Sequence, residues 1–144
     1  MKKVKIFTDS SAYLPKEYAE KYDIDILPLT LNWQGESYLD GVDISATEFY
    51  TQLAQSTALG TTSAVSMGQF IEAFQPYHEQ GRDIFYLGIT SGLSATVDSA
   101  LQAKKAMGNP ENIIAKNSKL VSMALSFMVI EVAKRAQEGA SLAE

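Results

Sequence analysis

The 144-residue sequence contains no cysteine, so it has no disulfide frame, no thiolate nucleophile and no thiolate-bound metal. It has a single histidine, His78, which excludes a His-rich metal site and leaves little for a Ser-His triad. Basic residues are too few for an electrostatic nucleic-acid binder: 12 Lys and Arg stand against 17 Asp and Glu, a net charge of -5. No apolar run reaches the roughly 20 residues of a membrane span. The start, Met1-Lys2-Lys3-Val4-Lys5-Ile6, is basic and then apolar, but Thr8-Asp9-Ser10-Ser11 interrupts it too early for a signal peptide. A cytoplasmic protein is expected. Neither Gly-x-x-x-x-Gly-Lys-Ser/Thr nor Gly-x-Gly-x-x-Gly occurs, so phosphate-cradle and dinucleotide fingerprints are missing.

What is present is alternation of strand-like and helix-like segments. Val4–Thr8 reads as a strand and Lys16–Tyr22, after Pro15, as a short helix. Ile24–Leu31 reads as one strand whose Pro28 suggests an edge position or an early end to pairing, and Trp33–Gly41 as a loop or small hairpin. Two capping boxes, Ser45-Ala46-Thr47-Glu48 and Ser66-Met67-Gly68-Gln69, announce two helices. Asp83–Leu87 reads as a strand, and Ala95–Met107 as a helix with Leu93, Val97, Ala100 and Leu101 inward. Asn112–Ala115 is a further short strand. Lys119–Glu138 is the longest helix, apolar nearly all round from Leu120 to Ala133, which predicts burial on more than one side. Ser141-Leu142-Ala143-Glu144 is another capping box with no helix after it, so the chain is expected to be part of a longer one. The order implies an α/β class with a mainly parallel sheet.

In such a sheet the loops after the strands gather at one edge, where ligands of open α/β folds bind. Those loops carry Thr8-Asp9-Ser10-Ser11, Thr90-Ser91-Gly92-Leu93-Ser94 and Asn117-Ser118, and Thr61-Thr62-Ser63 is a further candidate. The cluster is rich in hydroxyls and almost free of cations, Lys116 and Lys119 apart. A multiply charged phosphate calls for Lys, Arg or a metal. A single carboxylate, or a neutral polar head group, can be held by hydroxyls and backbone N–H groups. Ser and Thr after strands are also ordinary helix caps, and that reading stands beside the first. Asp9, Asp40 and Asp43 lack metal-ligand spacing and are expected in turns. Met123, Phe127 and Met128 make a stripe that suits a core or a pocket for a variable apolar chain.

A set of short motifs resembles the N-terminal domain of the DegV family, which includes the binding subunits of bacterial fatty acid kinase. They are Thr8–Pro15, Pro28-Leu29, Tyr38–Ser45, Glu48-Phe49-Tyr50, Thr61-Thr62-Ser63, Ser91-Gly92-Leu93-Ser94 and Ser118–Met123. They occur in family order along nearly the whole chain. Where the family usually has Gln-Pro-Ser-Pro after Thr-Ser, this chain has Ala64-Val65-Ser66-Met67. Where it has Gly-Thr-Tyr after Leu-Ser, this chain has Ala95-Thr96-Val97. The usual Asp-Ser after the fourth strand is Asn117-Ser118.

The resemblance implies a three-layer α/β domain, 1–144, forming the N-terminal half of a two-domain protein. It implies a non-enzymatic carrier that holds a long-chain fatty acid in a tunnel and presents it to a partner kinase subunit, with no cofactor. The carboxylate contacts carry over onto Thr62, Ser63 and Ser94, with Ser91, Thr90, Ser10 and Ser118 around them. The missing C-terminal domain would supply much of the tunnel. The alternatives are an interaction domain, or a small-ligand kinase or hydrolase domain working in the same crevice.

Overall fold

The computed structural model describes residues 4–144; Met1, Lys2 and Lys3, the basic start noted above, lie outside the described residues. The chain runs β1 (Lys5–Asp9), a 3₁₀ turn (Ser10–Ala12), α1 (Lys16–Tyr22), β2 (Ile24–Leu27), β3 (Thr30–Trp33), β4 (Glu36–Leu39) and α2 (Ala46–Leu53). It continues with β5 (Thr61–Ser63), α3 (Met67–Glu79), β6 (Ile84–Gly88), α4 (Thr96–Ala106), β7 (Ile113–Asn117) and α5 (Ser122–Glu138).

Four of the strands form a parallel sheet in the order β2-β1-β6-β7. All five residues of β1 are buried, as a central parallel strand requires. Successive side chains go to opposite faces. Ile6 and Leu87 join Leu125, Val129 and Ala133 of α5 in one core. Phe7, Ile84 and Tyr86 join Phe70 and Phe74 of α3 and Val97 and Ala100 of α4 in the other. The result is the expected three-layer α/β domain with its mainly parallel sheet. Edge-to-face ring contacts, Phe7–Phe74 at 5.1 Å and Phe70–Tyr86 at 4.8 Å, tie α3 to the sheet.

Both internal capping boxes form. Ser45 and Ser66 accept the Glu48 and Gln69 N–H groups at 3.2 Å each, and both side chains reach back to the cap N–H. Each such cap stabilises its helix by about 1 kcal/mol.

The expected strand Ile24–Leu31 is two strands in two sheets. Pro28 has no N–H to pair, so β2 ends at Leu27, and the Leu29 N–H is taken by Ser10 Oγ at 3.1 Å. The chain then enters a small antiparallel sheet, β4-β3-β5. Its hairpin turn uses Gln34 (φ 53°) and Gly35 (φ 84°), the left-handed pair of a type I′ turn. Leu31, Trp33 and Ile44 form a separate core beneath it.

The helical expectations need three corrections. Leu93 and Leu101 do not face inward; they are 68% and 46% exposed, while Val97 and Ala100 are buried. The long helix begins at Ser122, not Lys119. Lys119 (φ 60°) and Ser122 (φ 57°) are left-handed, and Asn117 Oδ1 and Ser118 Oγ capture the Lys119 and Leu120 N–H groups in turns. Finally, α5 buries one side only. Leu125, Val129, Ala133 and Ala136 are inward, while Met123, Phe127 and Met128 are 49%, 69% and 42% exposed.

Candidate functional site

The parallel strands all end at one edge, and Asp9 organises it. Asp9 closes β1 and is fully buried. Its Oδ2 accepts the Tyr86 hydroxyl at 2.7 Å and the Ile89 N–H at 2.9 Å. Its Oδ1 accepts the Ser11 N–H at 3.1 Å and the Ser11 hydroxyl. Thus β1 fixes the point where the chain leaves β6. Burial, then the Asp9 charge and the hydrogen bond to it, pushes the Tyr86 phenol far above its ordinary pKa, so the ring stays a neutral donor. Gly88 makes room for this bond: a Cβ there would lie 2.0 Å from the Tyr86 oxygen.

Beyond Gly88 the turn is held on both sides. Thr8 Oγ1 donates to the Leu87 carbonyl at 2.9 Å, and the Thr90 N–H reaches the Leu120 carbonyl at 2.9 Å. Ser118 N–H donates to the Gly88 carbonyl at 3.1 Å, and Ser91 N–H to Asn117 Oδ1 at 3.3 Å. These bonds bring Ser91, Ser94 and Ser118 to the same edge. Ser91 is exposed, and Ser118 Oγ is engaged with the Leu120 backbone.

The turn ends at α4, whose cap residue Ala95 has no side-chain bond. Ser94 Oγ instead accepts the Thr96 N–H at 3.2 Å and lies 2.8 Å from Thr96 Oγ1. Thr96 is fully buried and accepts the Val65 N–H at 3.3 Å. Val65 follows the Thr62-Ser63 pair closely, so Thr96 links the two hydroxyl segments placed together from sequence.

Thr62 and Ser63 lie on β5, exposed, where Thr62 pairs with Leu31 and Ser63 with Thr30. Their segment is a strand rather than a plain connection between helices. Asn32 Nδ2 donates to Ser63 Oγ at 3.0 Å, and Ser37 Oγ donates to Asn32 Oδ1 at 2.8 Å. Ser10 is turned to the Leu29 N–H and lines a different cleft, of about 340 Å³, with Tyr13, Lys16, Pro28 and Asp40. Tyr13 and Tyr50 share a hydroxyl contact of 3.4 Å there; that bond, then burial, raises the Tyr13 pKa to about 12. Of the acidic residues expected in turns, Asp9 caps the 3₁₀ turn and Asp43 accepts the Leu39 N–H at 2.7 Å. His78 is far along α3 and bonds Asn112 Oδ1 at 3.0 Å.

Sequence reasoning passed over Thr96, Asn32 and Tyr86. Two of them left a readable trace: Thr96 sits at i+2 from a candidate serine, and Tyr86 is a polar ring in an apolar strand. Among the described residues no helix is long and apolar enough to cross a membrane.

The chain matches the DegV family model, described as an uncharacterised protein family, over residues 3–144. It is 35% identical over 142 residues to a DegV domain-containing protein of Clostridium perfringens, covering 99% of this chain and 50% of that one. The crystal structure of a stearic acid-binding protein from Eubacterium ventriosum matches with TM-score 0.90 at 31% identity, over 97% of this chain and 50% of that one. A fatty acid-binding DegV family protein from Thermus thermophilus matches with TM-score 0.87 at 28% identity, over 98% of this chain and 50% of that one. The chain spans about half the length of the relatives it matches. With the family's fold, its motif order and this likeness over nearly every residue, the chain belongs to the DegV family.

Proposed function

We propose that this domain binds a long-chain fatty acid without turning it over, and that the acid's carboxylate sits at the turn between β6 and α4. One observation carries the reading. Ser94 stands in front of α4, whose cap residue Ala95 makes no side-chain bond, so that the Ser94 hydroxyl and the N–H groups of the first turn can meet a single negative charge. Thr62 and Ser63 complete the cradle from β5, with Ser91 and Ser118 beside it, while Ser10 serves the neighbouring cleft. The likeness to a stearic acid-binding protein and to a fatty acid-binding protein supports the ligand class.

On this reading residues 1–144 are the N-terminal half of a two-domain, cytoplasmic carrier. The exposed Met123, Phe127 and Met128 face of α5 then packs against the second half, which completes the acyl tunnel. A partner kinase subunit receives the acid.

Mass spectrometry of a lipid extract from the purified full-length protein tests the reading. It predicts a co-purified fatty acid that is depleted by Ser94→Ala combined with Thr62→Ala. Absence of fatty acid from the wild type would overturn it.

A further inference from the structure

The hydrogen atoms around Ser94 can be placed by counting donors and acceptors. Thr96 is fully buried, so its hydroxyl hydrogen must find an acceptor. Its other partner, the Val65 N–H, is itself a donor, at 3.3 Å. Ser94 Oγ, at 2.8 Å, is therefore the acceptor for the Thr96 hydroxyl. The reverse arrangement, Ser94 donating to Thr96, would leave a buried O–H without a partner. Ser94 Oγ also accepts the Thr96 N–H at 3.2 Å. A serine hydroxyl has two acceptor lone pairs and one donor hydrogen. Both lone pairs are thus engaged inside the protein, and only the hydrogen remains for a ligand.

We propose that Thr96 is the positioning residue that sets head-group specificity at this turn: by donating to Ser94 Oγ, it makes Ser94 an obligate donor, selective for an ionised carboxylate over a head group that must itself donate. This rests on the fatty-acid reading above and adds the residue that enforces it. Thr96 does not touch the ligand. It acts through Ser94, and the same hydroxyl holds the Val65 N–H and so the β5 segment carrying Thr62 and Ser63.

The test compares stearate with octadecanol, an isosteric chain whose hydroxyl must donate as well as accept, by displacement of a fluorescent fatty acid from the full chain. The wild type prefers stearate. In Thr96→Val one Ser94 lone pair is released and can accept from the alcohol, so the stearate-to-octadecanol preference falls about fivefold, the scale of one neutral hydrogen bond. Thr96→Ser keeps both bonds and restores the preference. In a Ser94→Ala background Thr96→Val leaves the preference unchanged. Where Thr96→Val does not fold, Thr96→Cys, a weak donor of similar volume, gives a partial fall. A preference that stays at the wild-type value in folded Thr96→Val or Thr96→Cys, or a Thr96→Ser that behaves like Thr96→Val, overturns the role of Thr96 and leaves the fatty-acid reading standing. A wild type that binds no stearate sinks the fatty-acid reading instead.

Discussion

The two edges of the parallel sheet treat polarity in opposite ways. Where the strands begin, charge closes on itself. The buried Lys5 ammonium lies 2.6 Å from Asp23 and 2.9 Å from Asp25. Tyr77 donates to Asp25 at 3.0 Å, and the Arg82 guanidinium lies over the Tyr77 ring at 5.1 Å. Where the strands end, the buried charge is Asp9, and each of its bonds comes from a neutral donor. The scaffold occupies its oxygens, while Ser94 beyond it keeps its hydrogen for an outside acceptor. Cations are used at one edge for cohesion. At the other, hydroxyls beside a helix start suit one negative charge.

The strand-end edge is the more brittle of the two. Gly88→Ala places a methyl 2.0 Å from the Tyr86 oxygen and 2.4 Å from its ring, against a buried side chain that has nowhere to go. Denaturant unfolding should show a loss of about 3 kcal/mol. Asp9→Ala should cost a similar amount, about 2–4 kcal/mol, because it strands the Tyr86 hydroxyl and the Ile89 N–H. A loss under about 1 kcal/mol in both would remove Asp9 and Gly88 as the organisers of this edge.

Lys5→Met at the opposite edge should cost less, about 1–2 kcal/mol, since Asp23 and Asp25 are partly solvated and recover water when the cation leaves. Its pH signature is specific. Burial lowers the Lys5 pKa, but its hydrogen bonds to Asp23 and Asp25, with their charges, raise it above the ordinary 10.5. A raised lysine contributes fully below its unfolded value and loses that contribution as pH rises through the folded one. The gap in unfolding free energy between wild type and Lys5→Met should thus hold at neutral pH and close above about pH 10.5.

Ser94→Ala should cost about 1 kcal/mol of stability, because the buried Thr96 hydroxyl loses its acceptor, and weaken fatty acid binding by about 1–3 kcal/mol in a displacement titration. A loss of stability with binding unchanged would mean that Ser94 only supports the turn. Phe127→Ser, on the outward side of α5, should change the unfolding free energy of this chain by less than about 0.5 kcal/mol. A larger loss would show that this face is already covered.

Much of this was legible in advance, for physical reasons. Helix starts are local, so the Ser45 and Ser66 boxes and the Pro15-led α1 were readable. The β-type run Val4–Thr8 reads as a strand, while its burial on both faces is set by the sheet around it. Pro28 signals an edge position or an early end to pairing, but only tertiary pairing shows that it divides two sheets. The left-handed Lys119 and Ser122 that delay α5 carry no glycine to announce them. The outward Leu93 and Phe127 cannot be told from core by hydrophobicity alone. At the candidate site, residue types marked the hydroxyl row. The direction of its hydrogen bonds needed the burial of Thr96 and the partner of Val65, which are facts of the fold.

Whether the hydroxyl edge holds a fatty acid carboxylate is measured most directly by the lipid content of the purified full-length protein. A long-chain fatty acid near one per protein is expected in the wild type, lost when Ser94 and Thr62 are both changed to alanine. Wild-type protein free of fatty acid, or a double variant that retains it in full, would show that the carboxylate is not held there.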